Sequence, residues 1–460
     1  MVLAARVIDK SPSLCPKGPR PAWGVLILVL YLAAMAVALV QGAYQPLFLG
    51  LGFRGGQGID FYCVPKAFIN LWHGKSAFDT WLPPLYGPHA TWFVLHPAVA
   101  VVVGGSLAWL PPYGAYGVFA ALSLGLLILS ATLVAAHATT AWQRMLIYGA
   151  LITSPITYWF LFVGNVHGLV VLASALLFVG FHEMRANARR PALGMAPTIK
   201  IGCGLLLSLL TKPLLVLIAP ALLIVPRTRR VTLWALAAYA AVSAAFMWVP
   251  WLNPQGVGTA RLIELAVSPS WVKAHLNIYL NHFVLVPEMR DNAMHWLHMV
   301  AQSGNQWDHA QIFSLPVMLN GIVGRLPFLQ WFALLPVGLS LLLVRRNPDA
   351  QARGLIWLLV LALATHFLAY AIAWEYQYIQ LQLVAAVFLC FAGQGWRRTV
   401  TLAALALLYL PTPYCLWATD ALNATSLLLM RATRVVPALV VAAVAFDGFI
   451  RDGQELRLTN

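Results

Sequence analysis

The sequence predicts an all-α polytopic membrane protein. Hydrophobic residues make up 61% of its 460 positions and charged residues 9%, where soluble domains carry about 25% charged residues. Apolar runs recur at lengths near the roughly 20 residues that a helix needs to cross a bilayer. Lys and Arg gather in short segments between those runs, as they do in cytoplasmic loops. The mean hydropathy of +0.78 agrees. A β-barrel would instead show alternation over segments of about 10 residues.

The first run, residues 22–44, follows a basic segment holding Arg6, Lys10, Lys17 and Arg20. It is too long for a signal-peptide core and lacks a clear small-residue cleavage site, so it reads as a retained signal anchor. Further membrane helices are expected at 114–136, 145–162, 168–184, 231–250, 326–344, 354–373, 377–395, 398–416 and 434–450. Residues 201–225, IGCGLLLSLLTKPLLVLIAPALLIV, are about one span long, but Lys212-Pro213 interrupts them. Proline removes a backbone donor and disfavours helix at the residue before it. Lys200 precedes this stretch and Arg227, Arg229 and Arg230 follow it. A hairpin of two short helices, both ends cytoplasmic, satisfies those charges better than one crossing. The expectation is therefore about 12 membrane helices, one short hairpin pair among them, with both termini inside.

Charge supports this topology: 19 of the 29 Lys and Arg fall inside, as the positive-inside rule requires. It also decides the stretch TWFVLHPAVAVVVGGSLAWL, residues 91–110. Counting that as a span would put the clusters around Arg189 and Arg229 outside. Residues 45–113 thus read as one outer loop carrying a helix on or in the membrane surface, with prolines suited to irregular backbone packed against protein. A second large outer loop covers 251–325 and carries Trp251, Trp271, Trp296 and Trp307, residues that also suit an interfacial belt. The chain 1–460 reads as a single transmembrane domain.

The net charge of +15 is mostly topological and does not imply nucleic acid. Cys15, Cys63, Cys203, Cys390 and Cys415 form no CxxC pair, so neither a disulfide framework nor a zinc site is indicated. No metal-ligand spacing stands out, and the pattern HWLH at 295–298 reads as surface. No metal or other cofactor is expected.

Only 14 residues are acidic, yet two of them fall in GGQGIDFYCVPKAFINLWHGKSAFD, residues 55–79, just after the first span. An early Asp followed by DFYCVPKAFINLWHGKSAFD resembles the first outer loop of integral-membrane glycosyltransferases that use polyprenyl-phosphate sugars, and glycosyltransferase family 87 in particular. Further similarity follows in order: LPPLYGPH at 82–89, GNVHGLVVLASALLF at 164–178, GLLLSLLTKPLLVL at 204–217 and AWEYQY at 373–378. The chain departs from the family where His167 stands in place of a frequent Asn, and where LPPLY replaces Tyr-Pro-Pro. The resemblance implies a GT-C-type fold, a polyprenyl-phosphate sugar as donor substrate, and an aspartate base at Asp60. It also implies an active site on the outer, periplasmic side of the cytoplasmic membrane.

Transfer from a phosphate-linked sugar needs a base for the acceptor hydroxyl, positive charge for the departing phosphate, and a groove for the lipid. One carboxylate suffices for an inverting displacement, because the leaving phosphate needs no proton; hydrolysis of a glycoside requires a second acid. Asp60 is the natural base, following the glycine-rich RGGQG where backbone can approach closely. An Asp before FYCVPKAF also suits a helix N-cap. Asp79 reads as a loop or cap residue with a secondary role in substrate contact. Lys212, at the break of the hairpin, is the favoured phosphate ligand, since lysine at membrane depth is costly; snorkelling or a carboxylate partner would also explain it. Lys66 and Arg261 are weaker candidates. Asn165 and His167 sit at a turn between two helices, where they could face the cavity or serve turn and capping chemistry. Glu375 and Tyr376, with Trp374, Tyr378 and Gln380, form an aromatic and carboxylate cluster suited either to sugar or to an interface. In the second loop, His309 in QWDHAQIF is the candidate among several histidines.

Mannose is the first expectation for the sugar and arabinofuranose the second, with a glycolipid or polysaccharide as acceptor and membrane lipid as surroundings. A transporter or flippase of lipid-linked substrates is the competing class. It should show internal repeats and mid-membrane charges in two matching halves, and no convincing repeat is seen. A subunit without chemistry is a third reading. An ATP-driven pump is disfavoured by the lack of a Walker A pattern.

Overall fold

The computed structural model describes residues 57–73, 83–89, 95–187, 194–248, 327–369, 373–391, 395–410 and 424–455, with a few isolated positions besides. The expected span 22–44 and the loop 251–325 lie outside the described residues, except for single positions. Among the described residues the chain is all helical, with no β-strand.

The helices run in order: α1 (Cys63–Trp72), α2 (Pro97–Leu107), α3 (Pro112–Ala135), α4 (Ala141–Ile152), α5 (Pro155–Val163), α6 (His167–Ala186) and α7 (Met195–Leu210). A 3-10 segment, Pro213–Ile218, leads to α8 (Ala219–Ile224) and α9 (Pro226–Trp248). Beyond 327 come α10 (Leu335–Ser340), flanked on both sides by 3-10 turns, then α11 (Pro348–Ala369), a 3-10 turn Glu375–Tyr378, α12 (Ile379–Phe391), α13 (Trp396–Ala406) and α14 (Ala424–Glu455).

Among the described residues, four stretches are helical, long and apolar enough to cross a membrane: α3, α6, α11 and Leu428–Asp452 within α14. Helices α4 and α5 supply a fifth as a pair bent by 42°. Helix α11 is central: it packs against α6 and α14 and against the Pro213–Ile218 segment, and 94% of its most apolar window is buried. A helix apolar all round belongs in such a position. Helix α6 packs against α3, α7, α11 and α12.

The continuous helix expected at 145–162 is broken. Pro155 cannot donate to the carbonyl of Leu151; that carbonyl accepts from Thr157 Oγ1 at 2.8 Å. Ser154 caps α5, accepting from the Thr157 amide at 3.0 Å, and Gln382 Nε2 on α12 donates to Ser154 Oγ. The stretch expected at 377–395 begins as the 3-10 turn and continues as a regular helix over Ile379–Phe391. Around Lys212-Pro213 the helix is interrupted: α7 ends at Leu210, and Lys212 is extended at φ −128° and ψ 114°. Helix α1 packs on α2. Phe68 and Trp72 of α1 cluster with Trp109, two residues beyond α2, and Trp72 and Trp109 are exposed.

Candidate functional site

Two glycines bring the first candidate into place. Gly164 ends α5 in the left-handed region at φ 70°, and a Cβ there would stand 2.7 Å from Phe61 Cβ and 3.3 Å from Gly58 Cα. Gly58 has φ 73°, and a Cβ there would meet the Tyr116 ring at 2.8 Å. Only glycine accepts such a conformation and such contact without strain. The close approach lets the Gly58 amide donate to Phe162 O at 2.8 Å and the Asp60 amide to Val163 O at 2.9 Å. Tyr116 adds its hydroxyl, donating to Leu161 O at 3.0 Å and Phe162 O at 3.1 Å. Segment 58–60 is thus pinned to the end of α5, and Asp60 falls beside Asn165.

Asp60 is not the helix cap. The N-cap of α1 is Tyr62, which makes no side-chain cap bond. The Asp60 carboxylate faces the other way, where Oδ2 accepts from Asn165 Nδ2 at 2.7 Å. The same Nδ2 lies 3.2 Å from the Tyr376 hydroxyl. Asn165 Oδ1 accepts from the His167 amide at 3.1 Å, a turn bond between residues two apart, and sits 3.0 Å from His167 Nδ1. His167 Nδ1 is 3.1 Å from Lys212 Nζ. The His167 ring meets Tyr376 edge to face, with centroids 6.1 Å apart.

Five sequence candidates, Asp60, Asn165, His167, Lys212 and Tyr376, therefore form one cluster. They come from the 57–62 turn, the α5–α6 turn, the break after α7 and the 3-10 turn before α12. All but Asp60 are buried, Lys212 at 8% exposure. The break that holds Lys212 is itself well satisfied: Ser208 Oγ donates to Lys212 O at 3.0 Å and accepts from the Leu215 amide at 3.3 Å.

The remaining candidates are placed differently. Lys66 lies on α1, largely covered, and burial followed by repulsion from Lys75 pushes its ammonium below the usual range. It is not part of the hydrogen-bonded cluster among the described residues. Glu375 is engaged by Arg434 on α14: Oε1 accepts from Nε at 3.0 Å and Nη2 at 2.8 Å. Arg434 is fully buried and also donates to Leu407 O and Leu410 O. Asp79, Arg261 and His309 lie outside the described residues.

Sequence reading singled out neither Arg434 nor His366. Arg434 stands within the apolar stretch Leu428–Asp452 of α14, and a cation in such a stretch was the available signal. His366 on α11 is buried, 3.0 Å from Gln377 Oε1 through Nε2, and close enough to Lys212 to interact electrostatically. Among the described residues no group of three or more His, Cys, Asp or Glu could hold a metal.

Chemically, the cluster joins a hydrogen-bonded carboxylate to a buried ammonium through an amide and an imidazole. Such an arrangement can accept a proton at one end and bind an anion at the other. Comparison with protein-family models, with curated proteins and with solved structures finds no match.

Proposed function

We propose that the protein is an integral-membrane glycosyltransferase with a polyprenyl-phosphate sugar as donor. In this reading it transfers the sugar, mannose by preference, with inversion, to a glycolipid or polysaccharide acceptor of the cell envelope. It works on the outer face of the cytoplasmic membrane, where the expected topology places residues 57–62, 164–167 and 374–376. Asp60 takes the proton of the acceptor hydroxyl as that oxygen attacks the anomeric carbon. The bond to the phosphate breaks at the same time, and Lys212 meets the charge that develops on the leaving group.

The observation that carries this reading is the meeting of Asp60 and Lys212 in one cluster, although 152 positions separate them in the chain. Base and anion ligand are the two groups that inverting transfer from a phosphate requires, and electrostatic stabilisation of the leaving group is a large part of such catalysis. The resemblance to glycosyltransferase family 87 points the same way.

The test is transfer by purified protein in lipid nanodiscs from a panel of radiolabelled polyprenyl-phosphate sugars. Label should move to a glycolipid acceptor from one donor, and Lys212→Met should lower donor use by about 10²-fold or more, as losing one such charge does. A folded protein that uses none of the donors, or a Lys212→Met variant with normal donor use, overturns the assignment. Movement of intact donor between leaflets without transfer would instead favour a flippase.

A further inference from the structure

Helix α1 holds a single charged residue, Lys66, and α2, the helix that it packs on, holds none. Lys66 is 5% exposed, and lysine is seldom so covered unless it is paired. Among the described residues Lys66 Nζ has neither a hydrogen-bond nor an ion-pair partner. Asp60, six positions earlier, turns its carboxylate to Asn165 at 2.7 Å and acts electrostatically on Lys212. The charge that acts on Lys66 is another cation, Lys75. The Lys75 amide donates to Asn70 O at 2.7 Å. That bond holds this exposed residue against the last turn of α1 and keeps the two ammonium groups within each other's field.

A buried ammonium without a counter-charge weakens the fold, and a second cation beside it adds repulsion. An apolar residue of similar length at position 66 would remove both costs, so stability does not explain the lysine. Residues that break a folding rule in this way mark functional sites. Exposed Trp72 on α1 and Trp109 just past α2 suit the headgroup level of a bilayer, where lipid phosphates lie and basic pockets bind them. A phosphate group offers oxygens that two ammonium groups can share, and lysine binds it well as a point charge.

We propose that Lys66 and Lys75 form a second anion site, distinct from the Lys212 cluster, that takes a phosphate group, either of a lipid headgroup or of a free phosphate. The site does not rest on the proposed function, since neither lysine belongs to the Asp60–Lys212 cluster.

The experiment follows the melting temperature of full-length, lipid-stripped protein in dodecyl maltoside. The probes are dioleoylphosphatidylglycerol and inorganic phosphate, with dioleoylglycerol as the phosphate-free control. A phosphate probe should raise the melting temperature and dioleoylglycerol should not. A rise with phosphatidylglycerol alone names a lipid headgroup as the source, and a rise with inorganic phosphate names free phosphate. Lys66→Met should melt higher than the wild type without any probe, because the unpaired buried charge is gone. It should also bind the effective probe about tenfold or more weakly, the size of one hydrogen bond to a charged group. Lys75→Gln, an exposed change, should weaken binding by about two- to fivefold, as for an exposed charge pair. No rise with either probe overturns the site, as does a rise that Lys66→Met retains or unchanged binding by Lys75→Gln. A Lys66→Met protein that melts lower without probe, or fails to fold, makes Lys66 structural and also overturns it. A rise lost in Lys212→Met but kept in Lys66→Met belongs to the Lys212 cluster: it overturns the second site and leaves the proposed function standing.

Discussion

Asn165 uses both ends of its amide inside the cluster, and Gly164 beside it sets where that amide points. Gly164→Ala would force an L-residue to φ 70° and bring Cβ to 2.7 Å from Phe61 Cβ. We expect a loss of more than about 1 kcal/mol of stability, read as a lower melting temperature, and a fall in transfer larger than the melting shift accounts for, because the Asp60–Asn165 register moves. Unchanged melting and activity would mean that segment 58–61 yields without cost. Arg434→Met removes the partner of a Glu375 that is 2% exposed. An uncompensated buried charge costs about 3–5 kcal/mol, so the variant should express poorly or unfold early. Adding Glu375→Gln should restore part of the stability. Asp60 and Lys212 were legible in the sequence because charges are few and each stands at a break in an apolar pattern. The Glu375–Arg434 pair was not, because its members lie 59 positions apart and nothing local in AWEYQY distinguishes a carboxylate facing sugar from one facing arginine.

At the level of elements, the breaks matter more than the helices. The interruption after α7 follows from Lys212-Pro213 and was visible in the sequence. The 42° bend between α4 and α5 was not anticipated, although Ser154-Pro155 is a helix-start signal. The apolar residues on both sides continue without pause, and hydropathy alone reads them as one span. Freed backbone inside a membrane needs a protein partner; Thr157 and Ser154 supply it at the bend, and Gln382 on α12 in turn holds those two hydroxyls. Gln382 is fully buried and reaches Ser154 and Thr157. Gln382→Leu is expected to cost about 1–3 kcal/mol, the penalty for leaving buried polar groups unpaired. Thermal unfolding in detergent measures this, and an unchanged midpoint would show that the bend does not need Gln382. The side chain was invisible as a bridge from sequence because it lies 228 positions from Ser154.

For the molecule as a whole, the helical membrane class followed from composition alone, and the four apolar spans plus the bent pair agree with it. The count of about 12 and the orientation rest on the distribution of 29 basic residues and the positive-inside rule. Cysteine labelling tests them: Asn305→Cys should react with an impermeant maleimide added from outside, and Gly395→Cys only after the membrane is opened. The reverse pattern would invert the topology and place the Asp60 cluster on the cytoplasmic side. The most direct measurement of the central claim is the transfer rate of Asp60→Asn, compared with donor binding by the same preparation. The amide keeps the shape and can still hydrogen-bond within the cluster, but it has lost the basicity. The account predicts a rate at least about 10²-fold lower, the lower range for removing a general base, with donor affinity retained and the fold intact. A folded Asp60→Asn protein that transfers sugar at a near-normal rate would contradict it.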